Sequence, residues 1–377
     1  MSNLKILIGG GLRELVHKKS FGGGGIFVYF LASELAKRGN DVSILCLSES
    51  SVPNCKIIPI TTEKQVTKTE MNYPLHDTFQ LIESQYIASN YNKYDIVHIN
   101  YFHYLFAPFS KFLSKPVIFT EHLPLLTSPI WQKLINTMVK PTDLFIFVAK
   151  HAYNKAALIK NKACITHGID TSFFPFSDKN ENYMFWLGRA KPKKGLLEAV
   201  LVAKKTNYQL LASLVINRQD DKLFFEKQIT PLITNQKNIH LLNPLPYPEK
   251  VSYYQKAKLF LFPIQWEEPF GLVMIEAMAC GTPVVAYARG SVPEVIKDGE
   301  TGFIVNESEE DKGGDWIVKK SGLDGLCEAV ERIYSMPEDQ YRQMRKNCRA
   351  HVEKHFTVER MVDEYEKVYK QILNVKS

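Results

Sequence analysis

Glu267-Glu268-Pro269-Phe270-Gly271-Leu272-Val273-Met274-Ile275-Glu276-Ala277-Met278-Ala279-Cys280-Gly281-Thr282-Pro283-Val284-Val285 is the stretch on which the reading of this chain turns. Two carboxylates, Glu268 and Glu276, bracket a segment that is otherwise a turn and an apolar helical start. Their spacing puts Glu268 in a loop and Glu276 roughly two turns along a helix, on the side facing that loop. At the Phe270-Gly271 step bare backbone N–H groups can face a ligand at the helix N-terminus, where hydroxyls and anions bind well. Pro-Phe-Gly alone is a turn, and 275–279 alone is a buried helix. Packing does not account for the two acids. The stretch therefore reads as a site for a polyhydroxylated, phosphate-bearing molecule.

Working outward, Gly188-Arg189-Ala190-Lys191-Pro192-Lys193-Lys194-Gly195 follows an apolar strand and precedes a helix over 196–204. An Arg at a strand end and a Lys five positions later form a cationic clamp. Such a clamp can hold a diphosphate and neutralise the charge that develops as it leaves. Lysine-rich loops are common on surfaces, so the weight comes from the acidic stretch downstream. A third element is the run Gly22-Gly23-Gly24-Gly25, read as a loop before a helix over 26–38 that Gly39 closes. There Gly24 and Gly25 let backbone approach a phosphate. The run is not a dinucleotide fingerprint: Gly-x-Gly-x-x-Gly read from Gly9 ends on Glu14, and from Gly22 on Phe27. That argues against a nicotinamide-dependent oxidoreductase. His122, in Phe119-Thr120-Glu121-His122, stands at the C-terminal end of a strand, where α/β ligand sites gather. His98 and His103 lie nearby, and His98, inside a strand pattern, is expected in the core.

Apolar strand runs alternate with helical patterns along all 377 residues, enough for two domains with parallel sheets. Strands are expected at 5–9, 42–47, 95–99, 117–120 and 144–148, then at 184–187, 210–215, 239–242, 259–262 and 284–286. The polar, turn-rich segment 173–182 reads as a linker. The domains are drawn at 1–177 and 178–355, with a C-terminal helix over 356–377.

Hydrophobic residues make up 45% and charged residues 23%, as in ordinary soluble proteins. No secretory signal or membrane-length run is visible, and the six cysteines show no Cys-x-x-Cys pair. Free thiols in a reducing cytoplasm are the simplest reading. The net charge of +7 is uneven: residues 1–177 carry 18 Lys and Arg against 12 Asp and Glu, leaving 29 against 28 for the remainder. The basic excess suits an anionic acceptor or the inner face of an anionic membrane, or is a solvated surface. No basic-aromatic motif points to nucleic acid.

These motifs resemble those of the retaining glycosyltransferases of family 4, the glycosyl transferases of group 1. The acidic stretch matches their Glu-x7-Glu signature, the basic loop their Gly-Arg…Lys-Gly pattern, and the glycine run their N-terminal Gly-Gly loop and helix. Residues 290–296, 298–305 and the C-terminal helix match as well. The resemblance implies an α/β protein of the GT-B fold, with two Rossmann-like, doubly wound domains facing across a cleft. The last helix would cross back to the first domain. It implies a nucleotide-sugar donor, UDP- or GDP-linked, and an unknown acceptor, anionic or lipid-linked, in surface polysaccharide or glycolipid synthesis. Arg189 and Lys194 would stabilise the leaving diphosphate. Glu268 and the Phe270-Gly271-Leu272 backbone would hold sugar hydroxyls, and Glu276 the ribose. Gly25, with Gly24, would lie by the donor phosphate, and His122 at the reaction centre. No cofactor is implied and no metal; the chain has no Asp-x-Asp triplet. Two departures stand out. His167-Gly168-Ile169-Asp170 replaces the family's Asn-Gly-Val-Asp, and Leu211-Ala212-Ser213 replaces a strand ending in Gly. They keep open an alternative, a catalytically degenerate nucleotide-sugar binding protein of the same fold.

Overall fold

A computed structural model describes residues 3–374, apart from 13, 21, 69–72, 101 and 102. The chain forms two units, Met1–Ile169 with Thr357–Ser377, and Asp170–Phe356.

In the first unit seven parallel strands lie in the order β3-β2-β1-β4-β5-β6-β7. They are β1 (Lys5–Gly9), β2 (Asp41–Leu47), β3 (Lys56–Thr61), β4 (Ile96–Ile99), β5 (Ile118–Glu121), β6 (Leu144–Phe147) and β7 (Lys162–Cys164). The runs Ile-Val-His-Ile and Leu-Phe-Ile-Phe are buried throughout because crossover helices cover both faces of such a sheet. Edge strands β3 and β7 were not expected from sequence. Pro59 interrupts β3, and β7 is three half-buried residues, so neither shows an apolar run. Strand order reverses between β1 and β4, the switch point where α/β sheets open a crevice.

The helix Val358–Asn374 belongs to this unit and packs on the helix Gly23–Lys37. Arg38 bridges them, 2.7 Å from Asp363 and 3.1 Å from Glu366. Tyr369 and Tyr365 reach the sheet: the Tyr369 hydroxyl lies 2.9 Å from His98 Nδ1, and the Tyr365 hydroxyl 3.1 Å from Thr120. His98 Nε2 meets Thr120 Oγ1 at 2.7 Å. Burial, then the neighbouring His122, pushes the His98 imidazole down to about 3, so it is a neutral core residue.

The second unit has six parallel strands in the order β10-β9-β8-β11-β12-β13. They are β8 (Tyr183–Arg189), β9 (Gln209–Val215), β10 (Ile239–Leu242), β11 (Leu259–Phe262), β12 (Val284–Tyr287) and β13 (Gly302–Val305). Trp186, Leu210, Leu259 and Val285 meet the helices Leu196–Thr206 and Gly322–Tyr334 in its core. Segment 173–182, expected as a linker, lies inside this unit. Arg345, fully buried on the helix Glu338–His355, donates to the Ser177 carbonyl at 2.8 Å and to those of Gln255 and Ala257 at 2.9 and 3.2 Å. A buried guanidinium needs acceptors for its donors, and these carbonyls stitch the segment into the fold. The switch point of this sheet falls between β8 and β11.

Candidate active site

The C-terminal ends of β8 and β11 bring the two charged motifs together. Beyond β8 the chain makes a tight turn over Pro192–Lys194, and Gly195 follows at φ 76°. A Cβ on Gly195 would lie 2.0 Å from the Pro263 carbonyl oxygen, so only glycine lets the turn rest against the loop after β11. Lys194 Nζ then stands 2.9 Å from Glu268 Oε2. Trp266 Nε1 donates to the same oxygen at 2.6 Å, and the Lys194 ammonium lies 4.6 Å from the centre of the Trp266 ring. The pair is largely shielded, with side chains 22% and 11% exposed. Arg189 ends β8 exposed, with no ion pair among the described residues.

The loop holding Glu268 is fixed by the turn after β12. Gly290, at φ 55°, sits so close that a Cβ would lie 2.3 Å from the Glu268 carbonyl oxygen. The Ser291 N–H donates to that carbonyl at 2.9 Å, and its hydroxyl to the Phe270 carbonyl at 2.7 Å. Phe270 is buried, and Gly271, at φ 79°, is the N-cap of the helix Leu272–Ala279. The backbone of 270–272 thus opens a helix N-terminus beside Glu268.

Glu276 departs from expectation. It is the fifth residue of this helix, about one turn in rather than two, and only 2% exposed. Its carboxylate faces the helix Tyr247–Lys256: Lys250 Nζ lies 2.8 Å and the Tyr254 hydroxyl 3.2 Å away, both on Oε2. Lys250 is itself buried, over the Tyr247 ring at 4.0 Å. A carboxylate this deep requires a counter-charge, and Lys250 supplies it.

For Gly24 and Gly25 the expected loop placement is corrected. They lie in the first turn of the helix Gly23–Lys37, not in a loop before it. The Gly25 N–H donates to Glu14 Oε1 at 2.8 Å, and a Cβ there would lie 2.3 Å from the Leu15 carbonyl oxygen. The anion-binding end of this helix is occupied by the chain's own carboxylate.

His122 follows β5, half-buried. Its ring stacks on that of His167, with centroids 5.2 Å apart and planes at 20°, and Phe27 meets both rings at 4.6 and 4.5 Å. His122 Nε2 lies 3.4 Å from Asn100 Oδ1. Burial, then His122 and Arg360, pushes the His167 imidazole well below its ordinary range. One departure from the family pattern is therefore the ring partner of the candidate histidine. The other, Ser213, is buried and donates to the Asn243 carbonyl at 3.1 Å. The side chain of His103 lies outside the described residues.

Sequence reading missed Trp266, Lys250 and Glu83. Trp266, two residues before Glu268, was legible in principle. Lys250 belongs to no motif, and its pairing with Glu276 across two helices leaves no mark in local sequence. Glu83, from the helix Tyr73–Asn90, tucks against Gly9 at the end of β1 and lines a cavity of about 10 Å³ with Gln80 and Ile99. Burial raises its carboxyl to about 8. Among the described residues no three His, Cys, Asp or Glu side chains gather as a metal site, and no helix is long and apolar enough to cross a membrane.

The family model for glycosyltransferase family 4 matches residues 21–173, and that for glycosyl transferases group 1 matches residues 170–321, together about four fifths of the chain. N-acetyl-alpha-D-glucosaminyl L-malate synthase of Bacillus anthracis is 22% identical over 94% of this chain and 95% of its own length. Sucrose-phosphate synthase of Thermosynechococcus elongatus superimposes with a TM-score of 0.79 at 20% identity, over 99% of this chain and 100% of that one. HepE of Anabaena, in complex with UDP and glucose, gives 0.73 at 16% over 98% and 100%. With both family models matched and both sheets doubly wound, this chain belongs to the glycosyl transferases of group 1, family 4, and is a glycosyltransferase of the GT-B fold.

Proposed function

We propose that this enzyme transfers a sugar from a nucleotide-sugar donor, UDP-linked in the first instance, to an acceptor hydroxyl, with retention of anomeric configuration and without a metal. The contact of Lys194 with Glu268 and Trp266 is the observation that carries this reading. It sets a cation for the diphosphate beside an acceptor for sugar hydroxyls, next to an open helix N-terminus. As the bond to the anomeric carbon breaks, negative charge grows on the diphosphate. Arg189 and Lys194 oppose that charge, the task a metal performs elsewhere. Glu268 accepts from the sugar hydroxyls and holds the ring. His122, kept in place by His167 and Phe27, is assigned to the sugar end. The acceptor enters on the same face as the departing diphosphate. UDP bound in HepE supports a UDP-linked donor, and the malate in the name of the Bacillus relative supports an anionic acceptor. The acceptor's setting is surface polysaccharide or glycolipid synthesis in the cytoplasm.

The test is a thermal-shift panel of UDP, GDP, ADP and dTDP with their common sugars, each with EDTA and with magnesium. A ligand at about 100 times its dissociation constant adds about 2.7 kcal/mol of stability. A shift with one nucleotide class that survives EDTA is the expected result. NMR of the transferred product then reads the anomeric configuration. Inversion would overturn retention, loss of transfer in EDTA the metal-free reading, and the absence of any shift the donor site.

A further inference from the structure

The face that the helix Tyr73–Asn90 turns to the first sheet changes character along its length. Residues 80, 83, 84 and 87 lie three or four apart and share one stripe. Ile87 is core, in one cluster with Leu7, Val97 and Phe106. One turn earlier the stripe becomes polar: Gln80, Glu83 and Ser84 are 4%, 8% and 2% exposed. These three line the cavity of about 10 Å³ with Ile99, Leu105 and Phe106. A Cβ on Gly9 would lie 3.0 Å from Glu83 Oε1 and 3.3 Å from the Ile99 side chain. The cavity therefore sits at the paired ends of β1 and β4, where strand order reverses. Open α/β sheets take their ligands at that point.

Two groups here have left water without gaining a partner. Among the described residues no hydrogen bond or ion pair reaches the Glu83 carboxyl, and burial raises it to about 8. Gln80 Oε1 is buried with no hydrogen bond. The Ser84 hydroxyl is already engaged, donating to the Gln80 carbonyl at 2.8 Å. The titratable group within electrostatic reach of Glu83 is the Cys46 thiol of β2, which burial pushes up to about 11 and keeps neutral. Ile99, Leu105 and Phe106 complete the lining with apolar side chains. An unpaired buried polar group costs stability, and calls for something that binds it. Below pH 8 or so the Glu83 carboxyl offers an O–H donor, and Gln80 Oε1 offers an acceptor. A cavity of this volume has room for about one oxygen atom. A hydroxyl accepts from the first group and donates to the second. A carboxylate or phosphate brings no proton for Gln80, and an ammonium no lone pair for Glu83.

We propose that Glu83 and Gln80 form a subsite for one hydroxyl of the acceptor, so that Glu83 helps to set acceptor choice. The inference rests on the proposed transfer to a hydroxylated acceptor. A hydroxyl seated here donates to Gln80 and accepts from Glu83, so it positions the acceptor and is not the one glycosylated. The first test needs no transfer: crystals of the full chain are soaked in glycerol. A glycerol hydroxyl within hydrogen-bond distance of Glu83 and Gln80 is expected in the parent and not in E83L. An empty cavity, a water that glycerol does not displace, or glycerol seated equally in E83L overturns the subsite. The second test is transfer to L-malate and D-glucose from the donor found by thermal shift. E83L deletes an unpaired carboxyl and keeps side-chain bulk, so its thermal midpoint should not fall. It should raise acceptor KM about fivefold or more with kcat within about twofold, and E83Q, whose amide keeps a donor, should restore KM. In the parent KM should rise above pH 8 or so, where Glu83 loses its proton, and in E83Q it should not. Unchanged KM in E83L, a fall in kcat as large as the rise in KM, or transfer to neither compound overturns the acceptor role. Nucleotide shift and glycerol soak are both read without transfer, so failure of the donor site and failure of this subsite are told apart.

Discussion

Lys194→Ala tests the candidate active site most directly. In the resting enzyme the Lys194 ammonium is 2.9 Å from Glu268 Oε2 and rests on the Trp266 ring. Removing it takes away a cation that would face the leaving diphosphate and leaves the Glu268 carboxylate with Trp266 alone at this spot. Loss of one such charge-stabilising donor costs about 2.7–4 kcal/mol in the transition state, or roughly 10²–10³ in kcat. Donor affinity should move far less, because charge on the diphosphate rises as the sugar departs. The assay pairs single-turnover transfer at saturating donor with donor binding by calorimetry. Because the two residues touch, a cycle with Glu268→Gln should be non-additive by about 0.5–3 kcal/mol. The fold should survive, since Lys194 is on a turn and the bond from Trp186 Nε1 goes to its carbonyl. Turnover within threefold of the parent, or strict additivity in the cycle, would refute the reasoning.

Three further outcomes follow from the same geometry. Glu276→Ala strands the buried Lys250 ammonium and should cost about 3–5 kcal/mol of stability in chemical denaturation; unchanged UDP affinity in the folded variant would remove Glu276 from the ribose. Glu14→Ala vacates the amide of Gly25 and should tighten donor binding in titration calorimetry, by about two- to fivefold if the carboxylate is worth about 0.3–1 kcal/mol at the helix end; weaker binding would mean that Glu14 orders the donor site instead of competing for it. Glu83 is protonated in the fold up to pH of about 8 and in the unfolded chain only to about 4.5. Folding stability is therefore lost as pH rises between those values. The advantage of Glu83→Gln over the parent should grow by about 1.4 kcal/mol per pH unit from pH 5 to 8 and then level off, which denaturation at a series of pH values would read.

How much was legible divides by physical cause. Strands β1 and β11 were placed to the residue because they are short apolar runs bounded by turns and buried in the sheet interior; the edge strand β10 was placed as closely, although its His240 and Leu241 are exposed. The helix Gly23–Lys37 was read as starting at 26, because four glycines look like a loop when the acceptor of the Gly25 N–H, Glu14, is eleven residues away. His167 was visible only as a departure from a family pattern, and its stacking on His122 depends on two loops meeting.

The sequence by itself determined the fold class and the chemistry on offer. Alternating strand and helix patterns force parallel sheets, and the acids and cations at 189–194 and 268–276 are there whatever the chain does. Only the tertiary structure decided which charge faces which. It set Lys194 against Glu268, 74 residues apart, and turned Glu276 inward to Lys250. The reason is that a charge leaving water must find its partner in space. Close approaches such as Gly195 on Pro263 and Gly290 on Glu268 choose that partner, and no local spacing records them.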